Sequence, residues 1–230
     1  MIWQRNQNYM KAKISEIFKS IQGEGIYQGI EQIFVRFYGC NIHCSFCDTK
    51  LTSYSEKTIE EALADIFSLD ECNSVSLTGG EPLMHVDFVK ALGTRLKGCG
   101  KTVYLETNGI MYENLKEVID FVDIIAMDFK LPSSTNLINF WKPHEQFLKI
   151  ASTKEVFIKA IIGKDTEADD IFESIRIIKK IKPDVPFVLQ SQNPFEEFLE
   201  EKLIFLADIC QKEHIDVRTT CQLHKILGVK

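Results

Sequence analysis

The sequence predicts an α/β protein built on a mostly parallel sheet, and two observations carry that reading. Strand-like runs alternate with helix-patterned segments about six times along the 230 residues, which implies parallel strands joined by right-handed crossovers. Nearly every chemically unusual motif falls just beyond a strand-like run, where barrel-like α/β folds place their chemistry. Six units are too few for a closed eight-unit barrel. An open, partial (β/α)6 barrel and a flat doubly wound sheet both fit that count.

The elements follow in order. Residues 32–38 alternate, with Ile33, Val35 and Phe37 on one face and Phe34, Arg36 and Tyr38 on the other. Thr58-Ile59-Glu60-Glu61 is a capping box that opens a helix running to about residue 69. Residues 73–78 form a strand that stops at Gly79-Gly80, and 86–97 a helix broken by 98–100. A strand over 102–106 leads through Asn108-Gly109 into a helix over 113–120, and 123–127 is a strand apolar on both faces. Residues 131–141 are irregular, with a short helix after them. Residues 155–161 return to strand, and Thr166-Glu167-Ala168-Asp169 caps a helix with Ile171, Ile175 and Ile178 on one stripe. A strand over 186–190 and a helix over 195–211 complete the pattern. No linker or change of composition divides the chain, so one domain over 1–230 is expected.

A net charge of −6 argues against a standing nucleic-acid surface. No run approaches the roughly 18 apolar residues of a membrane span, and residues 1–6 lack the apolar core of a secretory signal. A cytoplasmic protein is expected. Its seven cysteines do not suggest a disulfide framework. Cys72, Cys99, Cys210 and Cys221 are scattered, and we read them as reduced and mostly buried.

Cys40, Cys44 and Cys47 are different. Their spacing at i, i+4 and i+7 in one loop lets them take three corners of a cubane iron–sulfur cluster, with the fourth iron left open to a small molecule. A zinc-binding module is the rival reading, but structural zinc usually wants a fourth protein ligand in a second paired knuckle, and none follows.

The C-x3-C-x2-C pattern resembles the signature of the radical S-adenosylmethionine (SAM) superfamily. Ser20-Ile21-Gln22-Gly23-Glu24-Gly25, Phe34-Val35-Arg36-Phe37, Gly39-Cys40-Asn41, Cys47-Asp48-Thr49 and the tail Gln222-Leu223-His224-Lys225-Ile226-Leu227-Gly228 look like the 7-carboxy-7-deazaguanine synthase family. The resemblance covers nearly the whole chain. It selects the partial open (β/α)6 barrel, a [4Fe–4S] cluster, SAM and magnesium as cofactors, and a homodimer. It also implies a pterin substrate, 6-carboxy-5,6,7,8-tetrahydropterin, whose ring contracts with loss of ammonia to give 7-carboxy-7-deazaguanine for pathways such as queuosine biosynthesis. The cluster's electron would come from a donor such as flavodoxin or ferredoxin.

Residue roles also follow from the resemblance. Thr78-Gly79-Gly80-Glu81-Pro82 looks like the Gly-Gly-Glu-Pro motif, and Glu106-Thr107-Asn108-Gly109 like the family's Glu-Thr-Asn-Gly. SAM contacts are implied for Phe46, Cys47, Asp48, Gly80, Glu81 and Glu106, for Asp128, Phe129 and Lys130, and for Gln190, Ser191, Gln192 and Asn193. Substrate contacts are implied for Ile21, Gln22, Gly23, Glu24, Arg36 and Thr78, and for the carboxylate of Lys230; the Thr49 hydroxyl would ligate magnesium. Two departures stand out. Asp128-Phe129 replaces the family's usual Ser-Pro, giving an Asp-x-Lys pattern seen in glycyl radical enzyme activases, and Ser191 stands where proline is usual. An activase is therefore the second enzymatic reading. A structural pair with a glutamate is the plain alternative for Arg36, and a turn is the plain alternative for each glycine motif. His43, His85, His144 and His214 have no ligand-like spacing and receive no role.

Overall fold

A computed structural model describes residues 10–47, 49 and 51–229. Among the described residues nine strands form one sheet in the order β3-β1-β2-β4-β5-β6-β7-β8-β9. They are β1 (Lys11–Ile21), β2 (Glu31–Phe37), β3 (Ser55–Thr58), β4 (Ser74–Gly79), β5 (Thr102–Thr107), β6 (Ile124–Asp128), β7 (Glu155–Ile162), β8 (Phe187–Ser191) and β9 (Val217–Thr220). From β2 through β4 to β9 every pairing is parallel, whereas β1 and β3 add an antiparallel edge.

The parallel strands lie side by side in chain order. Each right-handed crossover therefore steps the same way and lays its helix on the same face. A doubly wound sheet needs a reversal of strand order, and none occurs here. The helices are α1 (Ile59–Ser68), α2 (Val86–Gly98), α3 (Tyr112–Val118), α4 (Pro132–Thr135), α5 (Trp141–Ala151), α6 (Ala168–Ile181), α7 (Phe198–Lys212) and α8 (Leu223–Leu227). With β3 at one edge of the sheet and β9 at the other, this is the open partial barrel, carrying more strands than the six units read from the sequence.

Strand alternation divides the core in two. Val103, Leu105, Ile125, Met127, Val156, Ile158, Phe187 and Leu189 face the helices in one large core. Tyr104, Ala126, Phe157 and Val188 point the other way and, with Ile26 and Tyr27, fill the lower part of the concave face. Two residues further along each of these strands, on that same face, stand Glu106, Asp128, Lys159 and Gln190. An apolar plug thus floors a polar layer at the C-terminal strand ends.

The capping box of α1 forms as expected: the Glu61 amide donates to Thr58 Oγ1 and the Thr58 amide to Glu61 Oε2. Ile171, Ile175 and Ile178 of α6 are all buried. Thr166 does not cap that helix. Its hydroxyl accepts the Gly163 amide at 2.8 Å, and the Glu167 amide instead reaches Ser133 Oγ at 3.0 Å. Of the scattered cysteines only Cys72 and Cys210 are buried; Cys99 is exposed and Cys221 partly so. Among the described residues no helix is long and apolar enough to cross a membrane.

Candidate functional site

The polar layer opens into a cavity of about 380 Å³, walled by the cluster loop, the strand ends and the C-terminal segment. Cys40, Cys44 and Cys47 all line it. Their loop leaves β2 through Gly39, whose φ of 93° suits glycine, and is tied to α4 by Ser45, whose amide donates to Thr135 O and whose hydroxyl donates to Ser134 O. The glycine pair of Thr78-Gly79-Gly80-Glu81 makes room for the same loop. A Cβ on Gly80 would stand 1.7 Å from Gly39 O, and one on Gly79, at φ 123°, 2.3 Å from Phe37 O. The close approach these glycines permit is thus to the chain's own backbone.

Thr78, Glu106, Gln22 and Arg36 form the wall beside that loop. Glu106 accepts from Gln22 Nε2 at 2.8 Å, Ser76 Oγ at 3.0 Å and Thr78 Oγ1 at 2.8 Å. Arg36 lines the cavity and also makes the glutamate pair, with its Nε 2.8 Å from Glu16 Oε1 and its guanidinium over the Phe18 ring. The β1–β2 hairpin sets this geometry, because Glu16 lies opposite Arg36 in the register.

Across the floor runs a line of alternating charge: Glu24, Lys159, Asp128, Lys130. Lys159 pairs with Glu24 and lies 3.3 Å from Asp128, and Lys130 is 2.6 Å from Asp128 with its ammonium facing the Phe46 ring. Burial opposes charge on both lysines, but the carboxylates beside them outweigh it and raise both pKa values. Burial would likewise raise Glu24, yet the Lys159 charge and the hydrogen bonds from Lys159 and Gln222 bring it down to about 2. Sequence reasoning missed Lys159. Its signal was a lysine inside the apolar run 155–161, a position that buries a cation and so demands partners.

Ile21, Gln22, Gly23 and Glu24 line the cavity under a strap made by the C-terminal segment. The Leu223 amide donates to Gly23 O at 2.9 Å, Gln222 Nε2 donates to Glu24 Oε1 at 2.7 Å, and Gln28 Nε2 bridges Gly23 O and Cys221 O. His224 packs so tightly on Gly23 that a Cβ there would lie 1.9 Å from its Nδ1. Thr49, Phe46, Gly80, Ser191, Gln192 and Asn193 also face the cavity. Asp48 and Lys230 lie outside the described residues; Val229, the residue before Lys230, is part of the lining.

Three residues read as cofactor contacts stand behind the lining instead. Glu81 is fully buried and accepts from the Leu83 amide, the Thr107 hydroxyl and the Asn108 amide, so its carboxylate braces two strand-end loops. Burial pushes its pKa up to about 7, since its partners are neutral donors. Phe129 is buried against His144 and Phe187 because its position on the alternating chain turns it toward the helices. Gln190 is fully buried near Glu24, beneath the surface of the cavity. His144, given no role from spacing, is a structural brace: its Nε2 accepts the Lys130 amide and its Nδ1–H meets Gly109 O, both at 3.0 Å, linking the two neighbouring loops. Burial holds it neutral, with a pKa of about 4.

The donor set fits an iron–sulfur cluster. Three thiols on one loop share a single cavity, and the other four cysteines lie elsewhere. Among the described residues no three His, Cys, Asp or Glu side chains converge on a point that would hold one metal ion. Ligands to three separate irons need not converge.

Comparison with known proteins agrees. The model of the radical SAM superfamily matches residues 34–201. The chain is 35% identical to the 7-carboxy-7-deazaguanine synthase of Geobacter sulfurreducens, over 94% of this chain and 97% of that one. It is 34% identical to the enzyme of that name from Archaeoglobus fulgidus, over 96% and 100%. In fold it is similar to QueE from Escherichia coli, at a TM-score of 0.66 and 21% identity over 94% of this chain and 96% of that one. Archaeal TYW1 is a more distant likeness of the same fold, with a TM-score of 0.61 at 14% identity over 92% and 88%. The Asp-x-Lys departure stands, but matches of this length favour neither the activase nor the zinc reading, and the chain belongs to the 7-carboxy-7-deazaguanine synthase family of radical SAM enzymes.

Proposed function

We propose that this chain is a ring-contracting synthase that converts 6-carboxy-5,6,7,8-tetrahydropterin to 7-carboxy-7-deazaguanine with loss of ammonia, in queuosine-type biosynthesis. One observation supports it above the rest: the three cluster cysteines and the Gln22, Glu24, Arg36 and Thr78 group open on one cavity. When bound, the cluster and SAM supply a one-electron reduction that ends in hydrogen abstraction from the substrate.

The chain's own residues do the remainder. Cys40, Cys44 and Cys47 hold the cluster. Lys130, paired with Asp128 and facing Phe46, and Ser191, Gln192 and Asn193 would hold SAM. Arg36 takes the substrate carboxylate, since its Glu16 contact uses only Nε and leaves the terminal nitrogens for a fork. Glu24, anionic down to about pH 2, accepts from the guanidine-like pterin edge. Thr78, held by its hydrogen bond to Glu106, positions the ring, and the C-terminal strap keeps water out, which protects a reactive carbon from stray hydrogen donors. Magnesium would sit at the Thr49 hydroxyl, completed by substrate oxygens and water. A small electron carrier such as flavodoxin or ferredoxin, a homodimeric assembly and a cytoplasmic setting complete the proposal.

Anaerobic turnover of the carboxytetrahydropterin with SAM, a reductant and magnesium tests it. The deazaguanine should form with SAM regenerated, and Cys44→Ala should abolish both the product and most of the bound iron. SAM consumed without ring contraction would refute the reading. Thr49→Ala should reduce magnesium stimulation while sparing iron content.

A further inference from the structure

We infer that Asn108 is a positioning residue for the cluster: its side-chain amide donates an N–H···S hydrogen bond to Cys40 and thereby raises the cluster's reduction potential. The inference rests on the cluster reading above.

Asn108 lies in the turn after β5 and is only 5% exposed. Its backbone is anchored, because its amide donates to Glu81 Oε2 at 2.8 Å. The side-chain orientation is anchored too, since its Oδ1 accepts the Ile110 amide at 3.2 Å. That contact turns the amide nitrogen away from Ile110 and toward the cluster loop. Nδ2 stands 2.7 Å from Asn41 Oδ1 and 3.9 Å from Cys40 Sγ. A primary amide carries two N–H donors, one for each acceptor.

Cys40 Sγ also approaches Asn41 Oδ1, at 3.8 Å, as a thiol donor would. Metal ligation removes that proton. The sulfur is then an acceptor alone, served by the Ile42 backbone amide of its own loop and, from outside that loop, by Asn108, which also serves Asn41. Reduction adds negative charge to the cluster and its sulfurs, so a hydrogen bond to a ligating sulfur stabilises the reduced form more than the oxidised one. Hydrogen bonds to sulfur are among the levers that set such potentials. Cys40 differs from Cys44 and Cys47 in receiving this contact, so the iron it ligates is the one most affected.

The test is an EPR-monitored redox titration of anaerobically purified wild type, Asn108→Ala and Asn108→Asp at matched iron and sulfide content. Both variants should have more negative midpoints. A threefold to tenfold loss in the reduced-to-oxidised ratio corresponds to roughly 30–60 mV at about 59 mV per tenfold. Asn108→Asp should lie lowest, because it keeps the Ile110 acceptor but turns a carboxylate toward the sulfur. Midpoints unchanged in variants with full clusters would overturn the inference. Should the variants lose the cluster, the wild type still decides. Pulsed EPR of the reduced protein carrying amide-15N asparagine, in an Asn41→Asp background, should show a weakly coupled 15N. Its absence overturns the inference. Wild-type protein without iron and sulfide would instead overturn the cluster reading, and this inference with it.

Discussion

Two glutamates of glycine-containing motifs, Glu24 in the cavity lining and Glu81 behind it, end in opposite electrostatic states. Glu24, from the Gln-Gly-Glu-Gly hairpin, faces Lys159 and stays ionised down to about pH 2. Glu81, from the Gly-Gly-Glu-Pro turn, is buried among an amide pair and a hydroxyl and titrates at about 7. Burial pushes both upward; the difference is the ion pair that Lys159 makes directly with Glu24, whereas Lys130 acts on Glu81 only from a distance. The lesson is one of division of labour: a carboxylate that must present charge to a ligand is given a buried counter-ion, while one that braces loops is given neutral donors and tolerates protonation.

Removing the cation should erase the difference, and this is the largest effect expected. In Lys159→Met, Glu24 and Asp128 lose their shared partner. Breaking a buried pair costs about 3–5 kcal/mol, and the lower end applies because Gln222 still donates to Glu24 and Lys130 to Asp128. Urea unfolding should show that loss together with weaker substrate binding. Lys159→Met combined with Glu24→Gln should recover part of the stability, as a coupled pair requires. Additive losses would mean that the two residues are independent.

Removing the carboxylate should have a smaller effect with a distinctive pH signature. Glu24's folded pKa lies below its unfolded value, so its stabilisation is complete above about pH 4.5 and disappears as pH falls toward about 2. The gap in unfolding free energy between wild type and Glu24→Gln should therefore be small near pH 2 and widen to about 2 kcal/mol above pH 5, after a discount for the partly exposed side chain. A gap that is flat with pH would show that Glu24 is not the group held ionised.

The sequence shows the parallel half of this fold more clearly than its edge. Strands β4 to β8 stand out because each is an apolar run bounded by turn residues, and the stripe of Ile171, Ile175 and Ile178 after β7 reinforces the pattern. Strand β1 does not. Its register shifts between Ile14 and Glu16, so Ala12 and Ile14 face the helices and then Ile17 does, with Glu16 and Phe18 turned to the cavity. That slip breaks the two-residue period on which strand recognition depends. Strands β3 and β9 have four residues each, too few for a pattern. In the site, motif spacing located the cluster loop, Arg36 and the strand-end turns. It does not say which way a side chain points, and so three of the SAM contacts that the resemblance implies, Glu81, Phe129 and Gln190, fall on side chains behind the lining. Lys159 and His144 were overlooked because their significance lies in partners distant in sequence, at Glu24 and Gly109.

The finest probe of the contrast is Glu81 itself, where the effect is small at acid pH and changes sign as pH rises. In Glu81→Gln one oxygen remains to accept, while the new amide faces a backbone N–H and forfeits one hydrogen bond, a loss of about 1 kcal/mol. The substitution also removes a cost. Glu81's folded pKa lies above its unfolded value, so the native state holds the proton more tightly and wild-type stability falls as pH rises from about 4.5 to about 7. The glutamine has no such slope. Wild type should therefore exceed the variant only at about pH 4.5 and below, by about 1 kcal/mol; a rise from 4.5 to about 7 is worth about 3 kcal/mol, so the gap should vanish near pH 5 and reverse by about 2 kcal/mol above pH 7. This trend is opposite in sign to that of Glu24→Gln, and urea midpoints of both variants against wild type at matched iron content measure it. Parallel trends in the two variants would show that the carboxylates share one electrostatic environment and that the Lys159 ion pair does not separate them.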